Sequence, residues 1–120
     1  MSILEEIVTN TILKLAEKKV ATPLAEIQSE LARLNLPKGA FKANLLNKDQ
    51  AIIAEIKKAS PSAGVLRESF CPATIAKEYE SSGVDCISVL TDEHFFQGSL
   101  NDLQIVSETV KTPLLRKEFV

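Results

Sequence analysis

AIIAEIKKASPS, residues 51–62, runs from an apolar segment straight into charged residues and a Ser-Pro turn. In strand geometry Ala51, Ile53, Glu55 and Lys57 project to one face, and Ile52, Ala54 and Ile56 to the other. One face therefore stays apolar to its end while the other turns ionic. A carboxylate and an ammonium two residues apart at the carboxyl end of a strand suit a ligand site, because parallel α/β folds bind ligands outside their strand carboxyl ends. The plainer alternative is a solvated strand end with a weak ion pair.

Working outward from this strand, residues 72–82 carry Ile75, Ala76 and Tyr79 on one helical face and are closed by Gly83. Residues 85–90 form a second apolar strand, 99–110 a second helix with Leu103, Val106 and Val110, and 113–120 a third strand. Strand, helix, strand, helix, strand, at a period of about 30 residues, predicts parallel pairing through right-handed crossovers. The third strand repeats the design of the first: Pro113, Leu114 and Leu115 lead at once into Arg116, Lys117 and Glu118, with Lys117 on the face of Leu115 and Phe119. The second leads into Thr91, Asp92, Glu93 and His94. Parallel strands with polar residues at the same end bring Glu55, Lys57 and Lys117 to one rim.

The region before the first strand is helical. Ser2 and Glu5 have capping-box spacing, and Ile3, Leu4, Ile7, Val8, Ile12 and Leu15 then recur at helical period to about residue 19. Thr22-Pro23 supplies a second N-cap with proline at the first helical position, followed by the stripe Leu24, Ile27, Leu31 and Leu34, expected to pack on a core. Pro37 and Gly39 break that helix, and residues 40–46 hold one short further turn. The expected organisation is a helical extension over residues 1–47 and an α/β portion over 48–120.

Composition excludes several classes. A net charge of -2 over 120 residues gives no electrostatic basis for binding nucleic acid or an acidic membrane, while a small anionic substrate is compatible with local charge. Cys71 and Cys86 lack the paired spacing of a zinc or redox site and are expected to be free thiols in a reducing cytoplasm. No apolar run approaches the roughly 20 residues of a membrane-spanning helix, and the N-terminus does not read as a secretory signal. A cytoplasmic location is expected.

Three runs, AEIKKASPSAG at 54–64, SVLTDEHFFQGS at 88–99 and PLLRKEF at 113–119, stand in order along the chain. Together they resemble the indole-3-glycerol phosphate synthases, lyases of tryptophan biosynthesis whose fold is a (β/α)8 TIM barrel of about 250 residues. The resemblance covers essentially the whole chain, which reaches the third barrel strand. It implies that Lys117 is the general acid that protonates the substrate ketone, that Lys57 holds the substrate carboxylate and shares in proton transfer, and that Glu55 orients both lysines. It further implies that Ser60 lies near the ligand and that Phe96 and Phe119 line the pocket for an anthranilate ring. The implied substrate is the phosphorylated 1-(2-carboxyphenylamino)-1-deoxyribulose 5-phosphate, and no metal or organic cofactor is implied. The family's glutamate base, the asparagine beside it and its glycine-rich phosphate site belong to later strands with no counterpart in these residues. The 120 residues alone are accordingly expected not to close the indole ring, and to self-associate or need the remainder of the barrel.

Other residues have duller expectations. Lys58, Arg67, Glu68, Arg116 and Glu118 are surface or helix-contacting charges, and His94 is solvated. Rival functions are another phosphate-binding barrel of the same pathway, such as phosphoribosylanthranilate isomerase, and a non-catalytic fragment that associates with itself.

Overall fold

The computed structural model describes residues 1–120 and shows two compact units. The first comprises Met1–Lys38 together with Phe119 and Val120; the second is Gly39–Glu118.

In the first unit α1 spans Ile3–Ala21 and α2 spans Leu24–Arg33. Ser2 and Glu5 form the reciprocal capping box: the Glu5 N–H donates to Ser2 Oγ at 3.2 Å, and the Ser2 N–H to Glu5 Oε2 at 2.6 Å. Thr22 does not cap α2. It ends α1, donating its N–H to the Lys18 carbonyl at 2.8 Å, and Pro23 takes the N-cap of α2 with no side-chain cap. The apolar stripe of α2 differs from expectation as well. Leu24, Ile27, Leu31 and Leu34 are all exposed, and α2 has no buried residue. Two helices cannot enclose a stripe on each, and a helix gains most of its stability only when its apolar face is covered. No helix is long and apolar enough to cross a membrane.

The second unit is built on a parallel sheet of three strands in the order β1, β4, β5. Its elements are α3 (Ala40–Leu46), β1 (Ile53–Ile56), β2 (Ala59–Ser60), β3 (Gly64–Val65), α4 (Pro72–Ser81), β4 (Cys86–Leu90), α5 (Leu100–Thr109) and β5 (Leu114–Lys117). Glu55 pairs in register with Ser88, Ser88 with Leu115, and Leu90 with Lys117. One face of the sheet packs on α4 and α5 through Ile56, Ile87, Val89, Ile75, Ala76, Val106 and Val110. Each isoleucine and valine among them contributes about 1.5–3 kcal/mol when fully buried. Being central, β4 is buried along its whole length, and its apolar character, broken only by Ser88, fits the strands of parallel sheets covered on both faces.

The opposite face is partly closed at its lower end. The Cys86 thiol reaches the Phe41 carbonyl of α3, and Asn44 Nδ2 donates to the Asp85 carbonyl at 3.0 Å. Buried Asp85 also pairs with Lys48 and accepts the Ile52 N–H at 2.7 Å, tying the entry of β1 to that of β4. Flanking residues on the same face stay open, with Ile53 48% and Leu115 44% exposed. Burial pushes the Cys86 thiol up, as expected of an inert structural cysteine.

A second sheet, absent from the sequence reading, is the antiparallel pair β2 and β3 directly after β1. The Leu66 N–H donates to the Lys58 carbonyl at 2.8 Å, and Gly64 takes φ +67°. Gly64 opens β3 directly after the turn of residues 61–63, in a left-handed conformation that glycine adopts without steric cost.

Candidate active site

The carboxyl ends of β1 and β5 carry a compact ionic cluster. Lys117 Nζ donates to Glu55 Oε1 at 2.6 Å, and Lys57 Nζ lies 3.5 Å from Glu55 Oε2, so each carboxylate oxygen faces a different ammonium. The placement follows from strand parity. Glu55 is on β1 and Lys57 stands one residue past its end, two residues on; Lys117 is in register with Leu90, and the intervening β4 presents Ser88 between them. Ser88 Oγ completes the shell, donating to Glu55 Oε1 at 3.5 Å.

Electrostatics at Glu55 are a contest with a clear winner. Burial pushes its carboxyl up, but the Lys117 hydrogen bond and charge, joined by those of Lys57, outweigh burial and hold it below its ordinary value. Glu55 therefore stays ionised, and both lysine side chains, 32% and 53% exposed, remain within reach of solvent and of a ligand above the rim. The backbone of Glu55 is held from below, where Tyr79 of α4 donates its hydroxyl to the Glu55 carbonyl at 3.0 Å. A shallow cleft bordered by Glu55, Lys57, Arg67, Ile75, Glu78 and Tyr79 opens toward α4, and Lys117 does not border it. Glu55 and Lys57 border both this cleft and the rim, and Lys117 joins them only at the rim.

Ser60 and Phe96 stand on the segments that follow β1 and β4, outside the hydrogen-bonded cluster. Ser60 lies in β2, where its hydroxyl accepts the Ala63 N–H at 3.2 Å. Half-buried Phe96 is positioned by Asp92, whose Oδ1 accepts the Phe95 N–H at 2.7 Å and the Phe96 N–H at 3.2 Å. Phe95 packs edge-on against His94 with ring centroids 4.6 Å apart. Phe119 groups with the helical unit. Sequence reasoning missed Ser88, Asp92, Tyr79 and Thr91. Only Asp92 left a usable signal, an aspartate three residues before an aromatic in a polar loop.

A parallel sheet that gathers a lysine, a glutamate and a second lysine at its strand carboxyl ends fits the α/β barrel class, in which functional groups collect at those ends. The family model for indole-3-glycerol phosphate synthase matches residues 4–120. The chain is 47% identical over 120 residues to the indole-3-glycerol phosphate synthase of Acidithiobacillus ferrooxidans, covering 98% of this chain and 46% of the relative. It is 47% identical to that of Rhodopirellula baltica, with 100% and 46% covered, and 46% identical to that of Clostridium acetobutylicum, with 98% and 45% covered. The chain belongs to the indole-3-glycerol phosphate synthase family, whose fold is the (β/α)8 barrel. It spans about half the length of the curated relatives it matches.

Proposed function

We propose that these residues form the proton-donating side of an indole-3-glycerol phosphate synthase site, within the helical extension and first three strands of a (β/α)8 barrel. The reaction is ring closure of 1-(2-carboxyphenylamino)-1-deoxyribulose 5-phosphate with loss of carbon dioxide and water. The observation that carries this reading is one ionised carboxylate, Glu55, holding Lys57 and Lys117 on its two oxygens at the strand carboxyl ends.

In the first step the aromatic carbon bearing the carboxylate bonds to the ketone carbon, driven by the aniline nitrogen lone pair. Negative charge grows on the ketone oxygen, and the Lys117 ammonium, held by Glu55, stabilises it and delivers a proton. Lys57 pairs with the substrate carboxylate until carbon dioxide departs and the ring electrons are restored. Lys117, 53% exposed and so reprotonated from solvent, then protonates the new hydroxyl, which leaves as water under the push of the nitrogen lone pair. The ring CH2 next to the nitrogen gives up a proton to the family's glutamate base on a later strand, completing the indole. Glu55 keeps both ammonium groups aimed without lying in the proton path. Phe96, and by resemblance Phe119, supply apolar surface for the anthranilate ring, and Ser60 hydrogen-bonds the ligand from the hairpin.

The 120 residues alone do not close the ring, because the family's glutamate base and phosphate-binding glycines are not among them. β1 and β5 are free edges, and exposed Ile53 and Leu115 lie on the open face, so the isolated chain self-associates or pairs with the complementary half. Mixing the chain with a separately made second half of the Acidithiobacillus ferrooxidans relative should give indole-3-glycerol phosphate. Product from the chain alone, or none from the mixture when both halves are folded, contradicts the proposal.

A further inference from the structure

Thr91 lies one residue beyond β4 and is 4% exposed, a threonine hydroxyl sealed at the end of the central strand. Four hydrogen-bonding relations converge on it from β5 and its continuation, one of them a longer alternative for the hydroxyl proton at the Lys117 carbonyl, 3.4 Å away. Its N–H donates to the Lys117 carbonyl at 3.0 Å, extending the β4–β5 ladder to the residue whose side chain meets Glu55. Its hydroxyl donates to Glu118 Oε2 at 3.0 Å and accepts from Arg116 Nε at 3.2 Å. Arg116 and Glu118 flank Lys117 and, by strand parity, project to the opposite face of the sheet. One hydroxyl thus grips the residues on both sides of Lys117 from behind, while the same residue's backbone holds Lys117 itself.

We propose that Thr91 is a positioning residue for Lys117, setting the direction in which the ammonium leaves the strand end. This rests on the role given to Lys117 above. Without the hydroxyl, Arg116 and Glu118 lose their shared anchor, and Lys117 is left on a strand end whose last ladder bond is free to fray. Catalytic groups act only when held within about 0.5 Å of the productive geometry, so such fraying lowers turnover while substrate binding is largely kept.

The experiment uses a barrel-length chain that begins with these 120 residues and continues with the second half of the Clostridium acetobutylicum relative. Thr91→Val keeps the shape and the N–H but removes the hydroxyl; Thr91→Ser restores it. Thr91→Ala replaces the valine variant if the second methyl is not accommodated. The expected result is a kcat at least about 10-fold lower for Thr91→Val with KM within about threefold, and recovery to within about threefold in Thr91→Ser. In a Lys117→Ala background Thr91→Val should cost nothing further, as residues acting through one group are not additive. The titration of the Glu55 carboxyl by carbon NMR, which needs no turnover, should move upward in Thr91→Val as Lys117 drifts from it. A Thr91→Val chain within twofold of parent and with the Glu55 titration unmoved overturns the proposal, as does a Thr91→Val loss that persists in full beside Lys117→Ala. If Lys117→Ala alone leaves the rate intact, the role of Lys117 falls, and the Glu55 titration still decides whether Thr91 positions it.

Discussion

Lys117 Nζ lies 2.6 Å from Glu55 Oε1 although 62 residues separate them in the chain, and the pair closes the carboxyl end of the sheet across β4. Because the folded Glu55 carboxyl is held below its ordinary value of 4.5, the pair contributes stability that is fully present above that value. That contribution is lost as pH falls through the lower, folded value. The carboxyl of Glu55 should therefore titrate below 4.5 by carbon NMR, and Lys117→Met should raise its midpoint. A Glu55 midpoint above 4.5 in the parent protein means that burial, not the lysines, governs the site.

Gly98 sits where backbone meets backbone. A Cβ added there would stand 2.1 Å from the Leu90 carbonyl oxygen, and the Gly98 N–H already donates to the Asp92 carbonyl at 2.8 Å. Gly98→Ala should force the 92–98 turn away from β4 and destabilise the chain by about 1–3 kcal/mol, the usual range for overpacking. It should also displace Phe96. Chemical denaturation of a barrel-length chain measures the first, and an unchanged denaturation midpoint would show that the turn relaxes freely.

Glu80, near the end of α4, fastens the loop before β5. Its Oε2 accepts the Thr112 hydroxyl at 2.7 Å and the Lys111 and Thr112 N–H groups at 2.9 Å each. The Thr112 side-chain and backbone bonds, ahead of those from Lys111, hold its carboxyl below the ordinary value. The sign is again that of a depressed acid: the clamp stabilises above the ordinary carboxylate value and fades as pH falls through the folded one. Glu80→Gln should lower Tm at pH 7, and the gap to parent should close in acid. A gap independent of pH would assign the effect to shape rather than charge.

The sheet was legible because β1, β4 and β5 each carry an apolar run ending in polar residues, and parity alone then puts Glu55, Lys57 and Lys117 on one face. Two features were not legible, for different reasons. The roles of Ser88 and Thr91 depend on register, since Ser88 meets Glu55 and Thr91 meets Glu118 only once the strands are paired. The hairpin of β2 and β3 is four paired residues, too short for a period to show, and only Gly64 hinted at it. The stripe of α2 illustrates the reverse case. Leu24, Ile27, Leu31 and Leu34 have helical period, and the helix forms, but periodicity says that a face is apolar, not that it is covered.

Steady-state kinetics of Lys117→Ala and Lys57→Ala in the barrel-length chain test the central claim most directly, that Lys117 donates the proton while Lys57 holds the carboxylate. Lys117→Ala should lower kcat by about 10²-fold or more with KM little changed, since a positioned acid acts mainly in the transition state. Lys57→Ala should raise KM as well as lower kcat, because a carboxylate partner acts in the ground state too. A Lys117→Ala chain that keeps more than about a tenth of the parent rate contradicts the account, since proton transfer by a positioned group is typically worth more than that.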